Sequence, residues 1–284
     1  MSEGALKVGI SLGILNPTLW VQATEEADRL GYESVWMPEH LVLPVTATGS
    51  PFDGQDHPPV PPDIPVFDVF TYLGYLAART TSIRFGTYVF NIGLRHPFTV
   101  ARGVATLDVL SAGRVEFGIG ASWNAAEWAA VGLDFSTRGR RVDEAIDVCR
   151  HLWTDSVVEH HGEFFDFDAV MFEPKPVQTG GPPLHIGGDA PAALRRAAVL
   201  GDGWIPMNHT LDQIPAAVAR LAELRADAGR AGTVEVSIGG DAAKPDDLER
   251  YAEAGVDRII VRPWRSSKEA IDGIRRFAGD ILHR

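Results

Sequence analysis

Cysteine is almost missing from this chain. Cys149 is the one thiol in 284 residues, so no internal disulfide can form and a reducing compartment is expected. Long apolar runs are missing too. No stretch approaches the ~20 residues of a membrane span, and the opening MSEGALKVGI lacks the order of a signal peptide. A cytoplasmic protein without a membrane partner is the expectation. Positive charge is scarce, with 26 Lys and Arg against 38 Asp and Glu, and a formal charge of −12 argues against nucleic acid as a partner. Metal-ligand spacing is lacking: Ser11-Leu12-Gly13 ends the first strand-like run where a metal-assisted hydrolase would carry His-x-His, and no metal is expected. Gly9 and Gly13 do not form a G-x-G-x-x-G turn, and no G-x-S-x-G nucleophile elbow occurs. A glycosidase would need two carboxylates facing one bond. Glu39 and Glu127 are candidates whose separation the sequence does not contain.

What is present is alternation. Strand-like runs lie at Lys7–Leu12, Ser34–Met37, Ile83–Asn91, Arg114–Ile119, Leu184–Ile186, Gly203–Pro206, Val234–Ile238 and Arg258–Val261. Nearly every one is followed by a helical pattern: Thr18–Leu30, Val66–Thr80, Pro97 to the break at Ser111-Ala112-Gly113, Arg138–Trp153, Pro191–Leu200, Leu211–Gly229, Asp246–Ala254 and Ser266–Leu282. The helix from Pro97 shows it best, with Val100, Val104, Leu107 and Leu110 at three- and four-residue spacing. Eight such units predict a parallel sheet closed into a (β/α)8 TIM barrel, one domain over residues 1–284, with a doubly wound open sheet as runner-up. Two segments interrupt the pattern. Leu41–Pro65 carries Pro44, Pro51, Pro58, Pro59, Pro61, Pro62 and Pro65, which excludes helix and central strand and marks an insertion after strand two, read as a lid. Residues 157–176, with the alternating run VVEHHGEFFDFDAVMF, read as a hairpin excursion before strand five.

In a parallel barrel the C-terminal ends of the strands form one mouth. That gathers Ser11, Glu39, His40, Tyr88 to Asn91, Ser122 to Glu127, Gly187 to Asp189, Met207, Asn208 and Arg262 to Trp264. His40 is the catalytic candidate, because an imidazole can give or take a proton near neutral pH. The alternative is a histidine bonded to loop backbone. Gly187-Gly188-Asp189 closes a strand and opens a helix, so free N–H groups there suit a phosphate, unless the Asp189 carboxylate caps them itself. Beneath the Leu41–Pro65 segment, Phe52, His57, Trp123, Trp128 and Trp264 frame an apolar or flat substrate. Glycines, aromatics and one histidine suit a flat cofactor better than hydrolysis.

The stretches GYESVWMPEH, LRHPFTVARGVATLDVLSAGRVEFGIGASW, GRRVDEAIDVCRHLWTD, GEFFDFDAVMFEPKPVQTGGPPLHIGG and LRRAAVLGDGW run in order from residue 31 to 204. Together they resemble the bacterial luciferase-like monooxygenase superfamily, in its branch dependent on the deazaflavin coenzyme F420. The resemblance implies a TIM barrel with an insertion after strand two, a homodimer, and a deazaflavin or flavin in the mouth. It implies His40 beside the reactive carbon, with Glu39 contacting the cofactor. It implies a non-prolyl cis peptide at Tyr88-Val89, and Gly187, Gly188 and Asp189 at the cofactor's backbone or phosphate. Relatives often carry Ser, Thr or Asn where Asp189 stands. Some F420 dehydrogenases carry a catalytic Glu after the strand-four glycines, where this chain has Ser122, Trp123 and Asn124. The expected cofactor contacts are thus Glu39, Tyr88, Val89, Asn91, Ser122, Gly187, Gly188 and Asp189, and the expected substrate contacts are Trp123, Asn124 and Trp264. The implied reaction is hydride transfer between coenzyme F420 and a small apolar organic substrate. Two alternatives stay open: an FMN-dependent monooxygenase served by a separate reductase, and a non-catalytic flavin-binding protein.

Overall fold

Parallel strands close on themselves here. The computed structural model describes residues 6–282 other than Ala47, Pro58 and Ala243, so two positions of the 41–65 segment lie outside the described residues. The barrel is built from β1 (Lys7–Ser11), β2 (Ser34–Met37), β3 (Arg84–Thr87), β4 (Phe90–Asn91) and β5 (Val115–Gly120). After a hairpin of β6 (Val158–His161) and β7 (Asp166–Val170), it resumes with β8 (Leu184–Gly187), β9 (Gly203–Ile205), β10 (Glu235–Gly239) and β11 (Arg258–Val261). The strand order is β3-β2-β1-β11-β10-β9-β8-β5-β4, and a β3–β5 pairing closes the ring. Every pairing within it is parallel; β4 continues the line of β3, so the ring has eight staves. The closed barrel, not the open sheet, is the fold.

Helices α1 (Trp20–Arg29), α2 (Val69–Ala77), α3 (Pro97–Leu110), α4 (Ala125–Ala130), α5 (Arg138–Thr154), α6 (Pro191–Leu200), α7 (Ile214–Asp227), α8 (Pro245–Glu253) and α9 (Ala270–Phe277) accompany the strands. Local chemistry explains their ends. Pro97 opens α3 with a pre-set φ, and His96 Nδ1 accepts from the Phe98 N–H at 3.2 Å. Val100, Val104 and Leu107 are buried against the barrel, whereas Leu110, expected on the same face, is exposed. Ala112 and Gly113 then take φ of 56° and 80°, a left-handed pair that turns the chain straight into β5. The large core lies between strands and helices. A second, small apolar cluster of Trp36, Ile205 and Ile260, with Tyr88 and Val89 against it, lies apart from that core.

Three elements differ from the sequence reading. The third strand was expected unbroken over Ile83–Asn91, but it is interrupted at Tyr88-Val89, whose peptide bond is cis. The Val89 side chain occupies space left by two glycines: a Cβ on Gly120 would come within 2.8 Å of it, and one on Gly187 within 3.0 Å. Residues expected in an exit loop after β5 instead form α4, because Asn124 caps it through the Glu127 N–H. The last helix is shorter than Ser266–Leu282: a 3-10 turn precedes α9 and a π turn follows it. The 41–65 segment holds no helix or strand among its described residues. No described helix is long and apolar enough to cross a membrane.

Candidate active site

Strand β2 ends at Met37 and carries Pro38, Glu39 and His40 to the C-terminal rim. His40 Nδ1 lies 3.1 Å from Glu127 Oε2. Glu127 is fully buried in the first turn of α4, where the positive end of the helix dipole favours a carboxylate. Its oxygens also accept from the Leu41 N–H at 2.6 Å, the Val42 N–H at 3.3 Å and Asn91 Nδ2 at 3.4 Å. The Trp123 ring stands edge-on to the His40 ring, centroids 5.9 Å apart. One edge of the imidazole is therefore bound to buried acid, and the side chain keeps 18% exposure.

Glu39 has a different environment. It accepts from the Asn91 N–H at 2.9 Å and pairs with Arg95, whose guanidinium lies 4.4 Å above the Phe90 ring. Burial pushes the Glu39 pKa above the ordinary carboxylate range; Arg95 and the Asn91 N–H pull against this, and the nearby Glu127 adds to it. Asn91 thus bridges both acids, through its N–H to Glu39 and its Nδ2 to Glu127. Both carboxylates are committed to protein donors and are not the free opposed pair that glycoside cleavage requires.

Further around the mouth, Tyr88 meets Trp36 edge-on at 6.1 Å, and a Cβ on Gly239 would come within 2.9 Å of its hydroxyl. Burial, with the Asp189 charge adding, pushes the Tyr88 phenol up to about 12. Gly188 takes a φ of 119°, which a side-chain-bearing residue would strain to adopt. It donates to Ile205 O and accepts from Trp204 Nε1. Asp189 turns to the loop after β9. It accepts from the Met207 and Asn208 N–H groups at 3.0 and 3.1 Å and from Asn208 Nδ2 at 2.9 Å, and it pairs with His209 Nδ1 at 2.7 Å. The N-cap of α6, Ala190, receives no side-chain cap. Capping by Asp189, the alternative left open by the sequence, is not what this carboxylate does.

Asn208 also reaches the 41–65 segment, donating Nδ2 to Pro51 O at 2.9 Å and accepting from the Asp53 N–H at 3.0 Å. Between that segment and the rim lies a cavity of about 410 Å³, walled by Leu43, Pro44, Val45 and Val60 and by Trp123 and Asn124. Trp123 and Asn124 reach it, whereas Ser122, Trp128 and Trp264 are not among its walls. Ser122, at φ 64°, accepts from the Asn124 N–H within its own loop. Asn124 is fully buried as the α4 cap, and its Nδ2 has no hydrogen-bond partner. Trp264 is buried in the large core beside Gly273, and Trp128 is buried against Gly93 and Phe135. Arg95 and His209 were not among the residues expected at the mouth, and Glu127 and Asn208 were expected there without these partners. Asn124 and Glu127 do show the spacing of an N-cap and N3 acid, which marks the start of α4. Their tie to His40 has no local signal.

At the opposite end of the barrel a charged layer fills the interior. Glu116, His185 and Glu235 bring ligand atoms within 4.8 Å of one another. Their oxygens are engaged by cations: Arg84 pairs with Glu116, Lys7 with Glu235, and the fully buried Arg258 with Glu33, Glu116 and Glu235. The layer is an ion-pair network.

The profile of the luciferase-like monooxygenase family matches residues 12–277. The chain belongs to that family. An uncharacterized protein of Mycobacterium tuberculosis is 32% identical over 253 residues, covering 86% of this chain and 84% of its own. The F420-dependent hydroxymycolic acid dehydrogenase of the same organism is 29% identical over 259 residues, 89% of this chain and 64% of that protein. The solved structure of the coenzyme F420 dependent tetrahydromethanopterin reductase from Methanopyrus kandleri superposes with a TM-score of 0.77 over 98% of this chain and 99% of that one. At 16% identity, that likeness concerns the fold.

Proposed function

We propose that this luciferase-like protein is an F420-dependent oxidoreductase that transfers a hydride between the deazaflavin and a small, uncharged, apolar substrate. The observation that carries the reading is His40, held by a buried acid at one ring nitrogen, at the rim of an apolar mouth. The residues fit such a cofactor. Tyr88 and Val89 offer an apolar surface, with Val89 seated against Gly120 and Gly187, and the uncapped α6 start offers N–H donors beside Gly188 to an anionic group. Glu39 and Asn91 hold the rim in place, and Ser122 fixes the loop that carries Trp123. When bound, coenzyme F420 supplies a two-electron hydride carrier, since carbon replaces the flavin's reactive nitrogen. His40 gives a proton to, or takes one from, the substrate. The 41–65 segment acts as a lid that keeps water out, and its apolar wall with Trp123 receives the substrate.

An FMN-dependent monooxygenase with a separate reductase is the second reading, favoured by the description of the family itself. A homodimer is part of the proposal: Phe67, Tyr75, Val109 and Leu110 leave exposed apolar surface on and beside α2 and α3. Light scattering of the purified protein at the mass of two chains is the expected result.

Equilibrium binding of coenzyme F420 and of FMN, followed by fluorescence at matched ionic strength, tests the cofactor. Tight F420 binding with weak FMN binding is expected, followed by turnover of enones, imines or carbonyls. The reverse preference overturns the proposal in favour of the monooxygenase. Cofactor binding without turnover of any substrate moves the protein to the non-catalytic class.

A further inference from the structure

Glu127 lies 87 residues from His40 in sequence, yet it is the group that the imidazole meets. A neutral imidazole has one N–H and one bare nitrogen, and an ionised carboxylate only accepts. The groups around the Glu127 oxygens are the Leu41 and Val42 N–H groups, Asn91 Nδ2 and the His40 ring. The first three can only donate. Arg95, the guanidinium at this rim, is turned to Glu39. A carboxylate surrounded in this way is matched to a fourth donor at His40 Nδ1, and a charge-assisted bond there is stronger than a neutral one.

We infer that Glu127 is the positioning residue of the site: it holds the His40 proton on Nδ1 and leaves Nε2 to the substrate. This rests on the proposed role of His40 in proton transfer. With Nε2 bare, His40 accepts the proton of a substrate hydroxyl or amine as the hydride leaves carbon. In the reverse direction the imidazolium returns that proton from Nε2 to the newly formed alkoxide or amide. Glu127 stays bonded to Nδ1 and faces the imidazolium when it forms. Its two bonds to Leu41 and Val42 make the root of the 41–65 segment part of the same unit, so the segment and the imidazole share one anchor.

The test reads the tautomer on the protein alone. Long-range proton–nitrogen correlation spectra of protein labelled at histidine nitrogen are recorded near pH 8, where an ordinary imidazole is neutral. The His40 signals are those missing in His40→Ala. The Nδ1–H form is expected to dominate in the native protein, and Glu127→Gln, which places an amide NH₂ within reach of the ring, is expected to move the population toward Nε2–H. A native protein in the Nε2–H form overturns the inference, and so does a variant that stays in the Nδ1–H form. Turnover supplies the second arm. Glu127→Gln is expected to lower kcat about 10²-fold with KM within about threefold, and Glu127→Asp to recover part of it. Native turnover in Glu127→Gln overturns the inference. Should that variant not fold, the native spectrum and Glu127→Asp still decide. Because the spectrum is taken without cofactor, a failure of the hydride-transfer reading leaves the tautomer result standing by itself.

Discussion

At the N-terminal end of the barrel His185 Nε2 lies 2.6 Å from Glu116, and at the C-terminal end His40 Nδ1 lies 3.1 Å from Glu127. The chemical pair is the same, and its surroundings differ in two ways. Around Glu116 three cations, Lys7, Arg84 and Arg258, join Glu33 and Glu235 in a closed network, and the His185 ring is 1% exposed. Trp36 adjoins that network, edge-on to His185 at 5.7 Å and with Arg258 5.2 Å from its ring. Among the described residues no lysine or arginine pairs with Glu127, and the imidazole it holds reaches the rim. A histidine–glutamate pair is therefore a strut where charges complete it and solvent is sealed off. It becomes a candidate proton-transfer device where the ring keeps 18% exposure and reaches the rim of the mouth.

The comparison breaks most readily at Arg258. Arg258→Met leaves Glu33, Glu116 and Glu235 with less cation than they need in a sealed space, and is expected to cost about 3–5 kcal/mol of stability. Urea denaturation midpoints measure it. A loss below about 1 kcal/mol would mean the floor is not held by its ion pairs. At the other end His40→Ala is expected to lower turnover about 10²-fold or more while changing stability by only about 1 kcal/mol and leaving cofactor binding largely intact. Steady-state kinetics, denaturation and cofactor titration on the same preparation decide it. Unchanged turnover removes the difference between the two pairs.

Acid separates the ends by sign. Burial alone would raise the Glu116 pKa, but the His185 hydrogen bond and the charges of His185, Arg258 and Arg84 outweigh it and hold the carboxyl well below its ordinary 4.5. A folded-state pKa below the unfolded one contributes stability above pH about 4.5, and that stability is lost as pH falls from there. Glu39 has the opposite sign. Its folded-state pKa lies above 4.5, so ionisation costs stability as pH rises past 4.5, and protonation in mild acid returns it. Denaturation midpoints from pH 7 to 3 should therefore fall less steeply below pH about 4.5 in Glu116→Gln than in the native protein, and more steeply in Glu39→Gln on the mildly acidic side above pH about 4.5. Parallel curves for all three proteins would show that neither acid is linked to folding in this way.

The eight staves, the proline-rich insertion and His40 at its root were legible because they rest on local signals. Strand and helix periods, Pro97 at a helix start and the turn at Ala112-Gly113 each act within a few residues. The partners of His40 and Glu39 were not legible. Glu127 is 87 residues from His40, and Arg95 is 56 from Glu39, so closure of the ring and not chain neighbourhood brings them together. Trp264 shows a second limit. An aromatic residue just past a strand reads alike whether it turns to the mouth or to the outer layer, and here it joins the core beside α9. Asp189 shows a third: a carboxylate next to a helix start suits capping, but the β9 exit loop offers it two N–H groups, an amide and an imidazole.

The floor is closed by ion pairs, whereas the proposed lid is held over the mouth by much weaker bonds, and that contrast has its own test at Asn208. Asn208 joins Pro51 and Asp53 of the segment to Asp189 on the barrel, across 155 residues in one case. The bonds from Asn208 to Pro51 and Asp53 join uncharged groups and contribute about 0.5–1.5 kcal/mol each, with partial solvent access favouring the low end. Asp189 keeps the Met207, Asn208 and His209 donors when Nδ2 is removed. Asn208→Ala is thus expected to leave the denaturation midpoint nearly unchanged, to raise KM by about two- to tenfold and to alter kcat little. Amide exchange at residues 51–53 should quicken in the variant, while exchange at Leu41 and Val42, which Glu127 holds independently, should not. Faster exchange at both places would mean the segment opens as one piece from its root. Unchanged exchange at residues 51–53 would mean that something other than Asn208 keeps them over the mouth.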